Sequence, residues 1–417
     1  MLHDSNTIRS KNKPRFREIM METFKTPASE IADRICRIQA RMQEADLDAL
    51  LIVQRVDLFY FSGTAQNGFL FIPAEGEPLL LIRKYMPRAR LESSIANMLE
   101  IRSPKELPRR IADFYGRLPR AIGFEWDVMP VKEFTFYQGL FPEQGCVDGS
   151  PLILRTRMIK SRWELVQMEK TARISARTFE YIRNTIRPGL TEMEFGGMYE
   201  AFARRIGHAG KLRVRDYQTE GYPWHILSGV SGGMVGLLDS PASGQGTSAA
   251  FPVGAGNKKL RADEPIMIDL SLAANGYHMD ETRMFAIGSM PKEALDASLA
   301  TMDIHNEVLD HIRPGVPIKD LFDLAKTSAE RRGYADSYLG PPGYKVRFIG
   351  HGVGLELIEQ PILSIKETTL LEPGMTFALE PKMVFKNRFS AGIESVFTVT
   401  ETGHRLISQV PVEIFVC

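Results

Sequence analysis

Residues 264–285 read EPIMIDLSLAANGYHMDETRMF, and this stretch decides the fold of the C-terminal half of the chain. Two apolar runs of strand length flank Asn275-Gly276, a dipeptide that favours a two-residue hairpin turn. With that turn in place, alternation puts Asp269 and Asp280 on the same face of the hairpin, as diagonal neighbours about 7–8 Å apart. The predicted cross-strand pairs are Asp269 with Thr282 and Asp280 with Ser271.

A second acidic hairpin is predicted nearer the C-terminus. Residues 376–385 (TFALEPKMVF) and 391–399 (AGIESVFTV) are strand-like, and the segment KNRFS joins them. A turn centred on Asn387 places Glu380 directly across from Glu394. Carboxylates inside apolar strands are costly to bury unless a cation compensates them. Two such hairpins in one domain therefore predict a cation site.

One histidine completes the predicted donor set. His351 lies between two glycines in RFIGHGVGLELIEQP, residues 347–361, where the backbone can come close to a ligand. Four carboxylates and one imidazole suit Mn²⁺, Fe²⁺, Co²⁺ or Zn²⁺, and the absence of thiolates excludes a structural zinc site. We predict two divalent ions, with manganese as the first choice, which would hold a bridging hydroxide at neutral pH and polarise a substrate carbonyl for hydrolysis. The predicted ligands are Asp269, Asp280, His351, Glu380 and Glu394.

The remaining sequence predicts an α/β (α+β) protein of two domains. Helical periodicity covers residues 27–43, and four short apolar runs, DALLIV, LFYFSG, GFLFIP and PLLLIR, follow with the length of strands. Residues 155–186 are predicted to form one long amphipathic helix. We assign residues 1–27 to a flexible leader, 28–155 to an N-terminal domain and 156–417 to the catalytic domain.

Composition limits the choice of partners and compartment. The chain has 417 residues, 52 basic and 51 acidic, with a formal net charge of +1, so it lacks the positive field that nucleic acids and anionic membranes attract. No stretch approaches the roughly 20 apolar residues of a membrane span. The three scattered cysteines (Cys36, Cys146 and Cys417) favour a reducing cytoplasm over a disulfide framework. We expect a small-molecule substrate and neither nucleic acid nor membrane as a partner.

The motifs themselves resemble a known family. DxxxxxxGYxxDxTR, GHGVGLE, LEPGMxFxLEP and GIExxxxVTExG, in that order, resemble the pita-bread metallopeptidases, and the first half resembles the N-terminal domain of their Xaa-Pro aminopeptidase, prolidase and creatinase branch. The resemblance implies a pita-bread catalytic domain with a pseudo-twofold repeat and a homodimer. It also implies that an amide bond of a short peptide or small amide is cleaved.

The same resemblance assigns roles to the five predicted ligands. Asp269 would chelate the first metal, and His351 and Glu380 would hold the second. Asp280 and Glu394 would bridge both ions, and Glu380 would also accept a proton from the attacking water and return it to the leaving amine.

The sequence departs from the family pattern at three places. Ile358 stands where the family usually has a substrate-binding histidine, and no histidine occurs between Ile226 and Tyr277, where another is usual. Gly392 replaces an arginine common two residues before the last glutamate. Losing one oxyanion donor typically costs about 10²–10³ in rate, so other groups must act if the chain cleaves peptides.

Five further residues are candidates for those missing functions. His225 could enter the cleft as a catalytic group or could be a packed structural histidine. Tyr344, Lys345 and Arg347 precede the ligand histidine and could bind a substrate carboxylate, or form a solvated basic edge. Glu359 matches a family glutamate and is a substrate-binding candidate, with a supporting position behind the metal ligands as the alternative.

Three functions stay open at this point. The first is a dimetal hydrolase of the Xaa-Pro aminopeptidase or prolidase type. The second is a pita-bread fold adapted to a non-peptide substrate, as in creatinase, which the missing histidines leave open. The third is a non-enzymatic binding protein, whose usual marks are an eroded metal site or a basic surface, and this sequence shows neither.

Overall fold

The computed structural model describes residues 24–215, 224–236 and 240–417. The chain divides into two compact units between Ser150 and Pro151. Nearly all of the predicted leader, residues 1–27, lies outside the described residues. The predicted boundary between residues 155 and 156 stays a prediction. The mixed α/β class predicted from the sequence is confirmed.

The first unit is built on a six-stranded sheet. Its strands are β1 Ala49–Ile52, β2 Gly68–Pro73, β3 Leu79–Ile82, β4 Met98–Glu100, β5 Ala121–Phe124 and β6 Gly145–Asp148. They lie in the order β4-β3-β2-β1-β5-β6. The core of the unit contains apolar side chains from β1, β2, β3 and β5 and from the helices that cover them. Its helices are α1 Ala28–Glu44, α2 Arg55–Ser62, α3 Met86–Glu92, α4 Leu107–Tyr115 and α5 Val131–Leu140, and a short 3₁₀ turn covers Pro104–Glu106.

One of the four predicted strands in this unit is instead a helix. The run LFYFSG lies in α2, so its prediction as a strand was wrong. The side chain of Gln54 accepts hydrogen bonds from the backbone N–H groups of Val56 and Asp57, which caps the start of the helix. Gly63 ends it in the left-handed conformation, with φ of 77°. An apolar run this short does not distinguish a buried helix from a strand.

The second unit contains two larger sheets and one two-stranded hairpin. The strands are β7 Trp224–Ser228, β8 Ile266–Ala274, β9 Tyr277–Ala286, β10 Phe348–Gly352, β11 Glu359–Ser364, β12 Thr376–Leu379, β13 Lys382–Phe385, β14 Phe389–Gly392, β15 Ser395–Val399, β16 His404–Leu406 and β17 Phe415–Val416. The four-stranded sheet has the order β17-β9-β8-β7, the five-stranded sheet has the order β11-β10-β12-β15-β16, and β13 pairs with β14.

Helices cover the sheets of this unit and bury its cores. They are α6 Ser150–Met158, α7 Arg162–Thr185, α8 Glu192–Arg205, α9 Lys292–Asp310 and α10 Ile318–Arg331, with a 3₁₀ turn at Gly229–Gly233. The single long helix predicted over residues 155–186 is wrong, because α6 ends at Met158 and α7 begins at Arg162. Ser161 and Glu164 form a capping box that starts the second helix. None of the described helices combines the length and hydropathy that a membrane span requires.

Candidate metal centre

The first acidic hairpin has the register that the sequence predicted. β8 pairs with β9 around Asn275-Gly276, so that Asp269 lies opposite Thr282 and Asp280 lies opposite Ser271. Asn275 takes the left-handed conformation, with φ of 54°, as this turn requires. The Ser271 hydroxyl donates a hydrogen bond of 2.7 Å to Asp280 Oδ1, which fixes that carboxylate.

The second acidic hairpin is joined to the first by backbone hydrogen bonds. β13 and β14 pair around Asn387, and the same register, continued beyond Lys382 and Gly392, sets Glu380 across from Glu394. The backbone N–H of Glu394 donates to the carbonyl of Thr282 at 3.1 Å. The Thr282 hydroxyl also donates to Glu394 Oε2 at 2.9 Å. The two hairpins therefore bring their carboxylates into one buried cluster.

Three donors in this cluster are close enough to share one metal ion. Ligand atoms of Asp280, His351 and Glu394, all buried, lie within 4.8 Å of one another. His351 Nε2 is 3.7 Å from Asp280 Oδ2 and also 3.7 Å from Glu380 Oε1. His351 Nδ1 lies 3.0 Å from the Gly352 carbonyl, which can only accept, so Nδ1 carries the proton and Nε2 offers its lone pair. These residues fit a divalent ion of the borderline class.

A lysine lies among the remaining carboxylates. Lys382 Nζ donates to Glu380 Oε2 at 2.8 Å, to Asp269 Oδ2 at 3.0 Å and to Glu394 Oε2 at 3.3 Å. Its side chain is 2% exposed. Burial lowers the pKa of Lys382, but the three carboxylates raise it by more, so the group remains an ammonium. The sequence reasoning missed this residue.

Alternation would have located Lys382. In a strand, residues two apart share a face, so Lys382 follows Glu380 on the face that the sequence already assigned to the site. In the predicted register it also lies opposite Gly392, next to Glu394. The predicted register that pairs Glu380 with Glu394 therefore also predicts the position of Lys382.

The carboxylates of this cluster differ in the direction in which their surroundings shift the pKa. Burial alone would raise the pKa of Asp269, yet the ammonium of Lys382 and the imidazole of His225 hold it below the usual range. Burial raises the pKa of Asp280, and the neighbouring Glu394 and Asp269 raise it further. Burial likewise raises the pKa of Glu394, where Lys382 only partly offsets it. Burial and the neighbouring carboxylates therefore disfavour the ionised forms of Asp280 and Glu394, and a bound cation would stabilise them.

His225 lies at the edge of the acidic cluster. It is on β7, directly opposite Asp269, and its Nδ1 is 3.4 Å from Asp269 Oδ2. Its Nε2 is buried and, among the described residues, has no hydrogen-bond partner. This placement brings His225 to the site, and its catalytic role stays a prediction.

The other candidates contact different groups. The Lys345 ammonium donates to the Ala335 carbonyl. Tyr344 is 58% exposed, with Lys386 Nζ 5.5 Å from the centre of its ring. β10 begins only at Phe348, and its pairing with β11 shifts before His351, so strict alternation does not carry Lys345 and Arg347 onto the face of the ligand. Their role in substrate binding stays a prediction.

Glu359 belongs to a buried ion-pair network. One of its oxygens accepts from Arg157 at 2.5 Å and the other from Lys160 at 2.9 Å, and all three side chains are less than 5% exposed. Burial would raise the pKa of Glu359, but the two cations hold it far below its usual value. In the structure Glu359 thus fixes α6 and the following turn to β11. A role in substrate binding stays a prediction.

A cluster of acids and one imidazole on facing hairpins, with a general-base candidate beside it, defines a metallohydrolase. The chain belongs to metallopeptidase family M24, whose sequence pattern matches residues 166–401, and residues 34–159 match the creatinase/prolidase N-terminal domain. The family resemblance and the predicted pita-bread fold are confirmed.

Several relatives match over almost their full length. The Xaa-Pro dipeptidase of Pyrococcus furiosus is 24% identical over 92% of this chain and 99% of its own length. Among solved structures, an Xaa-Pro dipeptidase from Bacillus anthracis superposes with a TM-score of 0.79, at 21% identity over 93% of this chain and 100% of that one. The X-Pro aminopeptidase from Thermotoga maritima gives a TM-score of 0.76, at 22% identity, over 90% of this chain and 100% of that one. At these identities the structural likeness shows the fold.

Proposed function

We propose that this protein is a divalent-metal-dependent hydrolase that cleaves an amide bond in a short peptide of the Xaa-Pro type. The observation that carries the proposal is the convergence of Asp280, His351 and Glu394 within 4.8 Å, with Glu380 at their edge. Relatives named as Xaa-Pro dipeptidases support the choice of substrate. Manganese is the metal that we propose first, with cobalt, iron and zinc as the alternatives.

The chain supplies ligands and a proton acceptor. Asp280, His351 and Glu394 would hold the ion, which when bound would supply Lewis acidity and make water easier to deprotonate. Glu380 Oε1, at 3.7 Å from His351 Nε2, borders the ligand cluster, so its carboxylate can accept a proton there. The deprotonated water would attack the carbonyl carbon of the amide, and as the C–N bond breaks Glu380 would return the proton to the leaving nitrogen, which releases a carboxylate and an amine.

His225 would orient the carboxylate of Asp269, which it faces from the neighbouring strand β7. Its Nδ1 lies 3.4 Å from Asp269 Oδ2, and its buried Nε2, which has no hydrogen-bond partner among the described residues, would meet a substrate or water. We propose that it replaces one of the histidines that the family pattern would place elsewhere. Homodimer formation and a cytoplasmic location remain predictions.

The test is hydrolysis of a panel of Xaa-Pro dipeptides and tripeptides by apo protein refilled with Mn²⁺, Co²⁺ or Zn²⁺. Glu380→Gln keeps the shape of the side chain and removes the proton acceptor, so we expect kcat to fall by about 10²–10⁴. Glu401→Gln, at an exposed position, is the matched control and should retain full activity. Equal activity of Glu380→Gln and the unchanged protein would refute the assigned base.

A non-peptide amide is the second candidate substrate. Ile358, 39% exposed, takes the position of a substrate-binding histidine, and an isoleucine can neither donate nor accept a hydrogen bond. If metal binds and no peptide of the panel is cleaved, small non-peptide amides become the substrates to test.

A further inference from the structure

The buried ammonium of Lys382 bears on the number of metal ions in the centre. We propose that Lys382 takes the place of one of the two predicted ions, so that each chain binds a single divalent ion on Asp280, His351 and Glu394. This inference rests on the proposed function, because it concerns the metal content of the same centre. It changes the centre from a pair of metal ions to one ion and one ammonium.

The hydrogen bonds of Lys382 are complete. An ammonium carries three N–H donors, and three carboxylates accept from it. The three acceptors are Glu380, Asp269 and Glu394, at 2.8, 3.0 and 3.3 Å. The side chain is 2% exposed, so water cannot replace a lost partner. Moving the ammonium out for a second metal would leave each of these donors to be satisfied elsewhere.

The opposite strand leaves room for the lysine stem. Lys382 pairs with Gly392 across β13 and β14. A Cβ at position 392 would lie 2.7 Å from Lys382 Cγ and 3.3 Å from Met267 Sδ, which is too close for the present side-chain path. Gly392, which first reads as the loss of an arginine, is therefore also the residue that admits the lysine.

Lys382 already engages one oxygen of each of the two acids that a second ion would need, Asp269 and Glu380. Asp269 Oδ2 accepts from Lys382 and faces His225 Nδ1 at 3.4 Å. Glu380 turns Oε2 to Lys382 and leaves Oε1 toward His351. Among the described residues, only Asp280, His351 and Glu394 form a group with the spacing of a metal site. Neither Asp269 nor Glu380 is part of that group.

The test counts the metal in full-length protein. Apo protein is equilibrated with Mn²⁺, freed of excess metal and analysed for manganese per chain, and its electron paramagnetic resonance spectrum is recorded. We expect one equivalent and the spectrum of isolated Mn²⁺. Lys382→Ala should take up a second equivalent and show coupling between two ions. Lys366→Ala, which removes an exposed lysine on the same unit, should stay at one equivalent.

Each outcome has a distinct meaning. Two equivalents in the unchanged protein would overturn this inference and leave the proposed function standing. One equivalent without peptide cleavage would overturn the proposed function alone, and no bound metal would overturn both. If Lys382→Ala folds and stays at one equivalent, Lys382 does not occupy a metal position. The count in the unchanged protein decides the number of ions even if the variant fails to fold.

Discussion

The ion-pair network around Glu359 makes a sharp prediction about stability. Lys160 Nζ, 2.9 Å from Glu359 Oε2, has no other ion-pair partner among the described residues, and its side chain is 2% exposed. Arg157 retains Glu356, at 2.8 Å, when Glu359 is changed. Glu359→Gln therefore leaves one buried ammonium without its counter-charge while nearly preserving the volume of the side chain.

The expected cost follows from burial. Removing one partner of a buried ion pair typically destabilises a protein by about 3–5 kcal/mol, because the remaining charge stays desolvated. The pKa of Glu359 lies far below its usual value, so the carboxylate is charged at neutral pH and its loss is felt in full. At roughly 2–4 °C per kcal/mol for a domain of about this size, the melting temperature should fall by about 10 °C.

The assay is thermal unfolding of apo protein at pH 7. Differential scanning calorimetry records it, because this method can resolve separate unfolding transitions of the two units. Glu372→Gln is the matched control. Glu372 forms an ion pair of 2.9 Å with Arg155, which lies in α6 like Arg157, and both side chains of this pair are about half exposed. An exposed pair is worth about 0–1 kcal/mol, so the control should shift by no more than a few degrees.

Equal melting temperatures for the two variants would refute the reasoning about burial. A raised KM for Glu359→Gln at unchanged melting temperature would instead restore its role as a substrate ligand. A large shift in melting temperature with unchanged metal content would show that the glutamate supports the fold and not the centre.

Two further predictions concern pH and metal affinity. Burial lowers the pKa of His305 to about 4 from 6.5, so the unfolded chain binds more protons than the folded one between these values, and stability falls as the pH drops from 6.5 to 4. The contribution of His305 is at most about 3 kcal/mol. His305→Phe should therefore make the free energy of unfolding, measured with urea, depend less steeply on pH between 4 and 6.5. An unchanged pH dependence would contradict this prediction. Thr282→Val removes the hydroxyl that donates to Glu394 Oε2 at 2.9 Å, so Mn²⁺ affinity measured by titration calorimetry should fall about 10–100-fold. Unchanged affinity would show that Glu394 is oriented by other contacts.

The sequence predicts most reliably where geometry is local. The Asn275-Gly276 turn fixed the register of β8 and β9, and the structure has the predicted pairs Asp269 with Thr282 and Asp280 with Ser271. The turn at Asn387 did the same for β13 and β14. In both hairpins a short loop sets the register, and the period of two then assigns every side chain to a face.

The failures share a non-local or side-chain cause. The helix predicted over residues 155–186 breaks because Ser161 caps a new helix and the preceding Lys160 reaches Glu359, a partner 199 residues away. Apolar periodicity carries no information about either contact. In the N-terminal unit, Gln54 caps the start of α2, where the sequence predicted a strand. Glutamine is not among the residues that usually mark the start of a helix, so the sequence did not indicate this one.

Lys382 and Gly392 show why a departure from a family pattern has to be interpreted with its cross-strand neighbour. Taken alone, Gly392 is a missing arginine and therefore a lost positive charge. Across the strand pair, the same glycine provides the space that Lys382 Cγ occupies, and the ammonium then reaches three of the acids. A positive charge is thus present in the candidate centre. It comes from β13 and not from β14, and it lies among the carboxylates of the two hairpins. The chain has therefore changed the kind of cation that balances its acids, and counting metal ions is the measurement that this change makes decisive.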